Sequence, residues 1–276
     1  MSDAHADAVA EYLPRPGTDL YYAQLYLPPR RRQLIALIES LRGEIARVPA
    51  SCSSPEIAAT KLAWWREEIA RLAGGAPRHA LTTSLHARMD EVPSLPDAAL
   101  ALVDGIASLL DTVRFATRDE RFAAFDAAHG PLWQLVNAQC AMLDAAAAAT
   151  ARRLGSRIEE AYALRDTRRY VAGGAALLAQ DSVRQAESAT TNGPLDDGDW
   201  YARVLALDIG HAIAALRREL AALRERRRLR PLATLARLAC ATLEEVQADG
   251  SRVWDRRVEL TPLRKLWLAW RERGGI

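Results

Sequence analysis

The 276-residue chain is poor in cysteine, and its thiols are placed for neither a disulfide framework nor a zinc site. Cys52, Cys140 and Cys240 are odd in number and lie far apart in the sequence. Disulfide-stabilised domains and zinc-binding modules use paired, closely spaced cysteines. This cysteine usage suits a reducing compartment, so we expect a cytoplasmic protein.

Long apolar runs are absent as well. No stretch of about 18 apolar residues, the length that a membrane-spanning helix needs, occurs in the sequence. The acidic segment 1–12 lacks the basic region and the apolar core of a signal peptide. The sequence therefore predicts neither a membrane-spanning helix nor a secretion signal.

Lysine is nearly missing. Lys61 and Lys265 are the only lysines among 37 basic residues, so the positive charge is carried almost entirely by arginine, which favours bidentate contacts with anions. The 35 acidic residues leave a net charge of +2, which is too even a balance to indicate a nucleic-acid partner.

Arginine is concentrated in two runs. Arg30–Arg32 open a predicted helix, where the helix dipole favours anions, so an anion site is one interpretation of this run. Arg224–Arg230 end a predicted helix, where the dipole favours cations. A solvated helix end and a contact with a peripheral membrane surface, on the inner face of the membrane, both explain the second run.

Strand-like alternation of β-branched residues is also rare, whereas apolar residues recur at helical spacing in a chain rich in alanine, leucine and arginine. The pattern predicts an all-α, single-domain bundle of about ten helices over residues 17–276, preceded by a flexible tail at residues 1–16. The expected helices cover roughly 29–49, 55–74, 80–90, 96–114, 118–149, 151–172, 174–187, 200–228, 231–248 and 262–273.

Two of these helices carry further expectations. Gly130-Pro131 is a possible break within the helix expected over 118–149, and the polar stretch Ser188–Asp199 is the longest expected loop. In the last helix, Trp267 and Trp270 share a face with Leu263 and Leu266, which predicts an apolar face that packs on the bundle.

The spacing of histidines and carboxylates in the sequence gives no sign of a catalytic site. The five histidines show no metal-binding spacing, and neither a nucleophile elbow nor a phosphate-binding loop occurs. The carboxylate pairs spaced four residues apart lie in the tail or near the expected break at Gly250. Spacing alone therefore predicts no metal site and no catalytic triad.

Five segments, in order along residues 17–270, resemble the squalene/phytoene synthase family of head-to-head prenyl synthases. They are DLYYAQLYLPPRRRQLIALIESLR, KLAWWREEI, ALVDGIASLLDTVRFAT, LGSRIEEAYALRDTRRY and VWDRRVELTPLRKLWLAW. The resemblance implies the all-α isoprenoid-synthase fold, with its helices around a central apolar cavity.

Active members of that family hold Mg²⁺ between two aspartate-rich helices, and the metal neutralises the diphosphate leaving group. Here the resemblance places Ile45, Ala46 and Pro49 at the acidic positions of the first motif. In the second motif Asp166 is retained, but Tyr170 replaces the second aspartate. Because Mg²⁺ needs hard oxygen ligands, the resemblance implies that no cofactor is bound.

The resemblance also supplies candidate site residues. For substrate binding they are Tyr22, Arg30, Arg42, Arg165 and Tyr170. For catalysis, if the protein is an enzyme, they are Asp111, Glu159, Glu160 and Asp166.

Three interpretations follow from the resemblance. The first is a degenerate, non-catalytic member that binds an isoprenoid or quinone-type lipid, assists assembly of a membrane complex as the mitochondrial complex I assembly factor of this type does, or both. The second is an active prenyltransferase on farnesyl or geranylgeranyl diphosphate, or a phosphatase, with rearranged carboxylates and Mg²⁺. The third is a filled core that acts only through its surface.

Overall fold

A computed structural model of the chain describes residues 11–112, 114–172, 177–188, 197–251, 253 and 257–274. These residues form thirteen α-helices and no β-strand, which confirms the predicted all-α class. The helices are α1 (Asp19–Ala23), α2 (Pro29–Ala46), α3 (Val48–Ser51), α4 (Pro55–Ala73), α5 (Ala80–His86), α6 (Leu95–Asp111), α7 (Arg118–Cys140), α8 (Ala145–Arg165), α9 (Thr167–Ala172), α10 (Gln180–Ser188), α11 (Asp197–Ala222), α12 (Arg230–Ala248) and α13 (Pro262–Gly274).

Helix starts follow capping residues that are visible in the sequence. Ser54 accepts a hydrogen bond from the backbone N–H of Ile57 at 3.4 Å, and Pro55 follows it in the first turn of α4. Thr117 caps α7 in the same way. The short helices α1, α3 and α9 raise the number of helices above the ten that the sequence predicts.

The helix expected over 118–149 breaks at a different place from the one proposed. Pro131 lies inside α7, which continues unbroken to Cys140. The chain breaks instead at residues 141–144, because the side chain of Asp144 accepts from the N–H of Ala147 at 2.8 Å and starts α8 there. The expected break at Gly130-Pro131 is therefore wrong.

Helix α8 lies at the centre of the bundle and packs on α7, α11 and α12. It approaches α7 closely at Gly155, where a β-carbon would lie 2.2 Å from Cγ of Trp133. Gly155 thus lets the Trp133 ring, which is 2% exposed, lie against the backbone of α8. This contact places an indole N–H beside the polar residues in the next turn of the helix.

Helix α13 turns a different face inward from the one expected. Leu263, Leu266, Trp267 and Trp270 are 79%, 44%, 49% and 58% exposed, although their spacing predicts a packed face. The inward face carries two charged residues, Lys265 and Glu272, which are 6% and 5% exposed. Lys265 pairs with Asp19, and Glu272 with Arg226 and Arg237, so ion pairs fix the rotation of this helix.

Some expectations fall outside the described residues. These are the first ten residues of the expected tail, the start of the helix expected at 174–187, and residues 189–196 of the expected loop. The last three residues of that loop are helical, because α11 begins at Asp197. Within the described residues, no helix is long and apolar enough to cross a membrane.

Candidate functional site

A cavity of about 320 Å³ lies where α1, α2, α7, α8, α12 and α13 meet. Its apolar lining includes Leu20, Trp133 and Leu235. Its charged lining consists of four cations, Arg42, Arg165, Arg257 and Lys265, and four carboxylates, Asp19, Glu39, Glu159 and Glu259. The lining thus contains equal numbers of basic and acidic side chains.

Arg42 joins two of the helices that form the cavity. It lies three residues after Glu39 on α2 and donates to Glu39 Oε2 through Nε at 3.1 Å and Nη2 at 2.5 Å. Its Nη1 donates to Glu159 Oε2 on α8. Burial by itself lowers the pKa of Arg42, but Glu159 and Glu39 together raise it above its usual value. The guanidinium therefore stays charged and bridges α2 to α8.

Glu159 is the carboxylate that its environment perturbs most clearly. Burial raises the pKa of Glu159 to about 7, an effect that Glu39 strengthens and Arg42 opposes. Trp133 Nε1 donates to Glu159 Oε1 at 3.2 Å. The neighbouring Glu39 is 6% exposed, and its Oε1 is buried without a hydrogen-bond partner. Glu39, which lines the cavity, thus carries an unsatisfied buried acceptor.

A second chain of contacts ties α8 to α1 and α13. The Tyr162 hydroxyl donates to Asp19 Oδ2 at 2.9 Å, and Lys265 Nζ lies 2.7 Å from Asp19 Oδ1. Lys265 also donates to the carbonyl oxygen of Gly17 at 2.9 Å. Burial and the nearby Asp19 carboxylate raise the pKa of Tyr162 well above its usual value, so its hydroxyl remains a donor.

At the end of α8, Asp166 is held by two arginines. Arg165 Nη2 donates to Asp166 Oδ2 at 2.7 Å, and Arg257 Nε donates to Asp166 Oδ1 at 3.1 Å. Burial alone raises the pKa of Asp166, but the two arginines outweigh burial and lower it below its usual value. Asp166 therefore fixes the positions of Arg165 and Arg257 at the cavity.

A sequence model of the squalene/phytoene synthase family matches residues 13–264. The chain belongs to the squalene/phytoene synthase family. Among solved structures, it is similar to a dehydrosqualene synthase in complex with ligand, with a TM-score of 0.79 and 15% identity over 99% of this chain and 97% of the other. It is also similar to the squalene synthase HpnC from Alicyclobacillus acidocaldarius, with a TM-score of 0.68 and 16% identity over 90% and 95% of the two chains. No curated protein matches in sequence.

The donor set does not fit the Mg²⁺ that the family resemblance associates with this cavity. The positions matched to the first acidic motif, Ile45, Ala46 and Pro49, are apolar and buried. Glu39 and Glu159 face each other across α2 and α8, but the guanidinium of Arg42 lies between them. In the described part of the chain, no group of three or more His, Cys, Asp or Glu side chains is arranged to hold a metal.

The structure places two of the five candidate substrate-binding residues at the cavity. Arg42 and Arg165 line the cavity. Tyr170 lies outside the lining, although Glu159 and Asp166 are close enough to affect its pKa, which burial raises. Tyr22 packs in a small apolar cluster with Leu238 and Leu268, and Arg30 is exposed beside Glu91.

The candidate catalytic carboxylates lie in separate places. Glu159 lines the cavity and Asp166 lies behind two arginines at its edge, whereas Asp111 is exposed at the end of α6. Glu160 belongs to another buried network, in which it accepts from Arg121 Nε at 3.0 Å and from Arg157 Nη1 at 2.7 Å. In the described structure, no two of these four candidate carboxylates lie together in the cavity lining.

Sequence reasoning missed several residues of the cavity, among them Glu39, Trp133, Tyr162 and Lys265. Their spacing held part of the signal, because Glu39 and Arg42 are three apart on one helix, as are Glu159 and Tyr162. For Trp133 and Lys265 the local pattern gave no signal, because their partners come from helices distant in sequence.

Proposed function

We propose that this protein is a non-catalytic member of the squalene/phytoene synthase family that binds an isoprenoid-type lipid with a neutral polar head, without Mg²⁺. The observation that carries the proposal is the Arg42 bridge between Glu39 and Glu159. An arginine stands between the two carboxylates that face each other across α2 and α8, so these carboxylates are committed to a salt bridge rather than to a metal.

Charge balance supports a neutral head over a diphosphate. The four cations of the cavity lining are matched by four carboxylates, and Asp166 adds a fifth behind Arg165 and Arg257. A prenyl diphosphate carries several negative charges, and burying them needs an excess of cations or a metal. A head without charge, such as that of a prenyl alcohol, a quinone or a quinol, needs no such excess.

The unsatisfied acceptor supports a head that carries a hydroxyl group. Glu39 Oε1 is buried without a partner, and a ligand O–H donating to it would recover the free energy lost by an unpaired buried oxygen. Leu20, Trp133 and Leu235 supply apolar lining for the start of the isoprenoid chain. A volume of about 320 Å³ falls within the usual range of small-molecule sites.

The enzyme interpretation has less support. A prenyltransferase or phosphatase with rearranged carboxylates requires Asp111, Glu159, Glu160 and Asp166 to converge. Only Glu159 of these lines the cavity, and an arginine and a tryptophan already occupy its two oxygens.

Two ligands with the same tail test the proposal. Geraniol and geranyl diphosphate differ only in the head group, and each is titrated calorimetrically in EDTA and in Mg²⁺. We expect geraniol to bind equally under both conditions and geranyl diphosphate to bind more weakly in both. Tight binding of geranyl diphosphate that requires Mg²⁺ would contradict the proposal.

A matched pair of variants on α2 locates the site. Glu39→Gln removes the unsatisfied carboxylate oxygen, and we expect it to weaken geraniol binding about tenfold, the range of a hydrogen bond to a charged acceptor. Glu44→Gln changes a half-exposed carboxylate of the same helix and should leave binding unchanged. Equal effects of the two substitutions would place the ligand elsewhere.

Product analysis separates the remaining interpretations. The protein is incubated with farnesyl and geranylgeranyl diphosphates, Mg²⁺ and NADPH, and lipid that copurifies with it is extracted in parallel for mass spectrometry. A squalene, phytoene or prenyl alcohol product overturns the non-catalytic proposal, and a copurified prenyl lipid without turnover supports it. If neither is found and geraniol does not bind, the proposal fails in favour of a scaffold for a membrane complex.

A further inference from the structure

A second, strongly basic pocket lies outside the cavity. It has a volume of about 240 Å³ and lies between the start of α2 and the segment that leads into α12. Arg31, Arg227, Arg228 and Arg230 line it, and its described lining contains no carboxylate. We call it the arginine pocket. Four cations around one small space repel one another unless an anion lies between them.

Little in the described structure neutralises these arginines. Arg228 has Glu225 at 3.7 Å on an exposed surface, and no ion pair of the other three is found among the described residues. Arg230 Nε is buried without a hydrogen-bond partner. Helices α2 and α12 both begin at this pocket, and neither has a side-chain cap, so their N-terminal N–H groups add to the positive potential. The pocket therefore suits a phosphate group, which arginine binds in bidentate fashion.

The exposed face of α13 supplies a second, independent observation. Leu263, Leu266, Trp267 and Trp270, here called the outer face, lie opposite the buried residues of the same helix. Arg264 and Arg271 flank this face on one side and Arg273 on the other. Exposed tryptophan and leucine bordered by arginine is the pattern of a helix that lies in the interface of a phospholipid bilayer.

The outer face and the arginine pocket are neighbours. Tyr26, which is 37% exposed, lines the pocket, and the guanidinium carbons of Arg230 and Arg273 lie 5.5 Å and 5.2 Å from the centre of its ring. Arg273 follows Trp270 by one helical turn. Arg226 pairs with Glu272, which ties the arginine-rich segment to α13. The apolar and basic parts thus form one surface.

We propose that this surface docks on an anionic phospholipid bilayer, with the outer face of α13 in the interface and a lipid phosphate in the arginine pocket. Charge favours this occupant over a second copy of the chain, because a symmetric dimer would bring like-charged arginines together. A free phosphate would occupy the pocket and leave the apolar outer face uncovered. The proposal does not depend on whether the cavity binds a ligand.

Cosedimentation with vesicles tests the proposal on the full chain. We expect binding to vesicles of equimolar phosphatidylcholine and phosphatidylglycerol, little binding to phosphatidylcholine alone, and release as NaCl is raised. Lipids brominated on their acyl chains should quench part of the tryptophan fluorescence, and this quenching should disappear in Trp267→Gln/Trp270→Gln.

Two double variants and their controls assign the contacts. Arg227→Gln/Arg228→Gln should weaken vesicle binding about thirtyfold, since each arginine near an anionic surface contributes about 1 kcal/mol. Trp267→Gln/Trp270→Gln should weaken it about tenfold or more. Lys61→Gln/Arg66→Gln removes the same charge from exposed positions of α4, and Trp64→Gln changes an exposed tryptophan there; both should bind like the wild type. Circular dichroism confirms that each variant is folded.

Three results would overturn the proposal. One is equal binding to neutral and anionic vesicles, or no binding to either. Another is a dimer in sedimentation velocity that the Trp267→Gln/Trp270→Gln variant abolishes. The third is binding of inorganic phosphate or pyrophosphate in the arginine pocket with no loss of vesicle binding in Arg227→Gln/Arg228→Gln.

Discussion

Arg42 and Glu159 are 117 residues apart in sequence, and their side chains form an ion pair that links α2 to α8. Removing the cation leaves Glu39 and Glu159 facing each other in a buried site. We expect Arg42→Met to lower the free energy of unfolding by about 3 kcal/mol, the usual cost of leaving one partner of a buried pair unpaired.

A matched substitution on the same helix serves as the control for Arg42. Arg47 pairs with Glu44 at the same spacing of three residues, but its side chain is 67% exposed. Arg47→Met should change the free energy of unfolding by less than about 0.5 kcal/mol, as is usual for exposed pairs. Urea denaturation measures both, and equal losses would show that burial does not distinguish the two pairs.

The raised pKa of Glu159 makes stability depend on pH. Its pKa is about 7 in the folded protein, against about 4.5 for an ordinary glutamate, so the folded state binds the proton more tightly. The free energy of unfolding should therefore fall as the pH rises from about 4.5 through 7, by up to about 3 kcal/mol from this group. Glu159→Gln cannot titrate, so its stability relative to the wild type should rise over the same interval. If the free energy of unfolding varies with pH in the same way in Glu159→Gln and in the wild type, Glu159 does not have the raised pKa.

Glu68 has the opposite pH dependence. It is fully buried and accepts hydrogen bonds from the N–H groups of Arg78 and His79 at 2.8 Å, and from the Thr82 hydroxyl at 2.5 Å. Burial alone raises its pKa, but these donors and Arg71 outweigh burial and lower the pKa of Glu68 to about 2. The stability that Glu68 contributes should be present above about pH 4.5 and be lost as the pH falls towards 2.

Substitution of Glu68 tests that contribution directly. Glu68→Gln should cost about 2 kcal/mol at neutral pH, because an amide accepts fewer of these hydrogen bonds and leaves buried donors unpaired. The adjacent Glu67, whose side chain is 71% exposed, provides the control, and Glu67→Gln should be close to neutral. Thermal denaturation at pH 7 distinguishes the two.

Gly155 sets the distance between α7 and α8. Gly155→Ala places a β-carbon against Trp133 in the core, and we expect a loss of about 3 kcal/mol with displacement of the indole from Glu159. Gly43, also inside a helix, has nothing within 4 Å of an added β-carbon. Gly43→Ala should instead stabilise the protein by about 0.5 to 1 kcal/mol, through helix propensity. Calorimetry measures the stability of both variants. If both substitutions stabilise the protein, or both destabilise it, the close contact of Gly155 with Trp133 is wrong.

Local sequence patterns predict the helices of this protein better than they predict its cavity. Ser54, Pro55 and Gly74 mark the ends of α4 correctly, because capping depends on neighbouring residues. Arg42 is identified from the sequence as a candidate substrate-binding residue, but its bridge to Glu159 depends on where the fold places α2 relative to α8. The rotation of α13 was missed for the same reason, since Lys265 finds its partner Asp19 near the other end of the chain.

One side of helix α13 lines the cavity, and the other side forms the outer face. Lys265 on its inner side lines the cavity, while Leu263, Trp267 and Trp270 face outward. Helix α13, about 10 Å across, therefore lies between the Lys265 side of the cavity and the surface that we propose for the bilayer. On the two proposals taken together, a lipid in the bilayer and a ligand in the cavity would lie on opposite sides of this one helix.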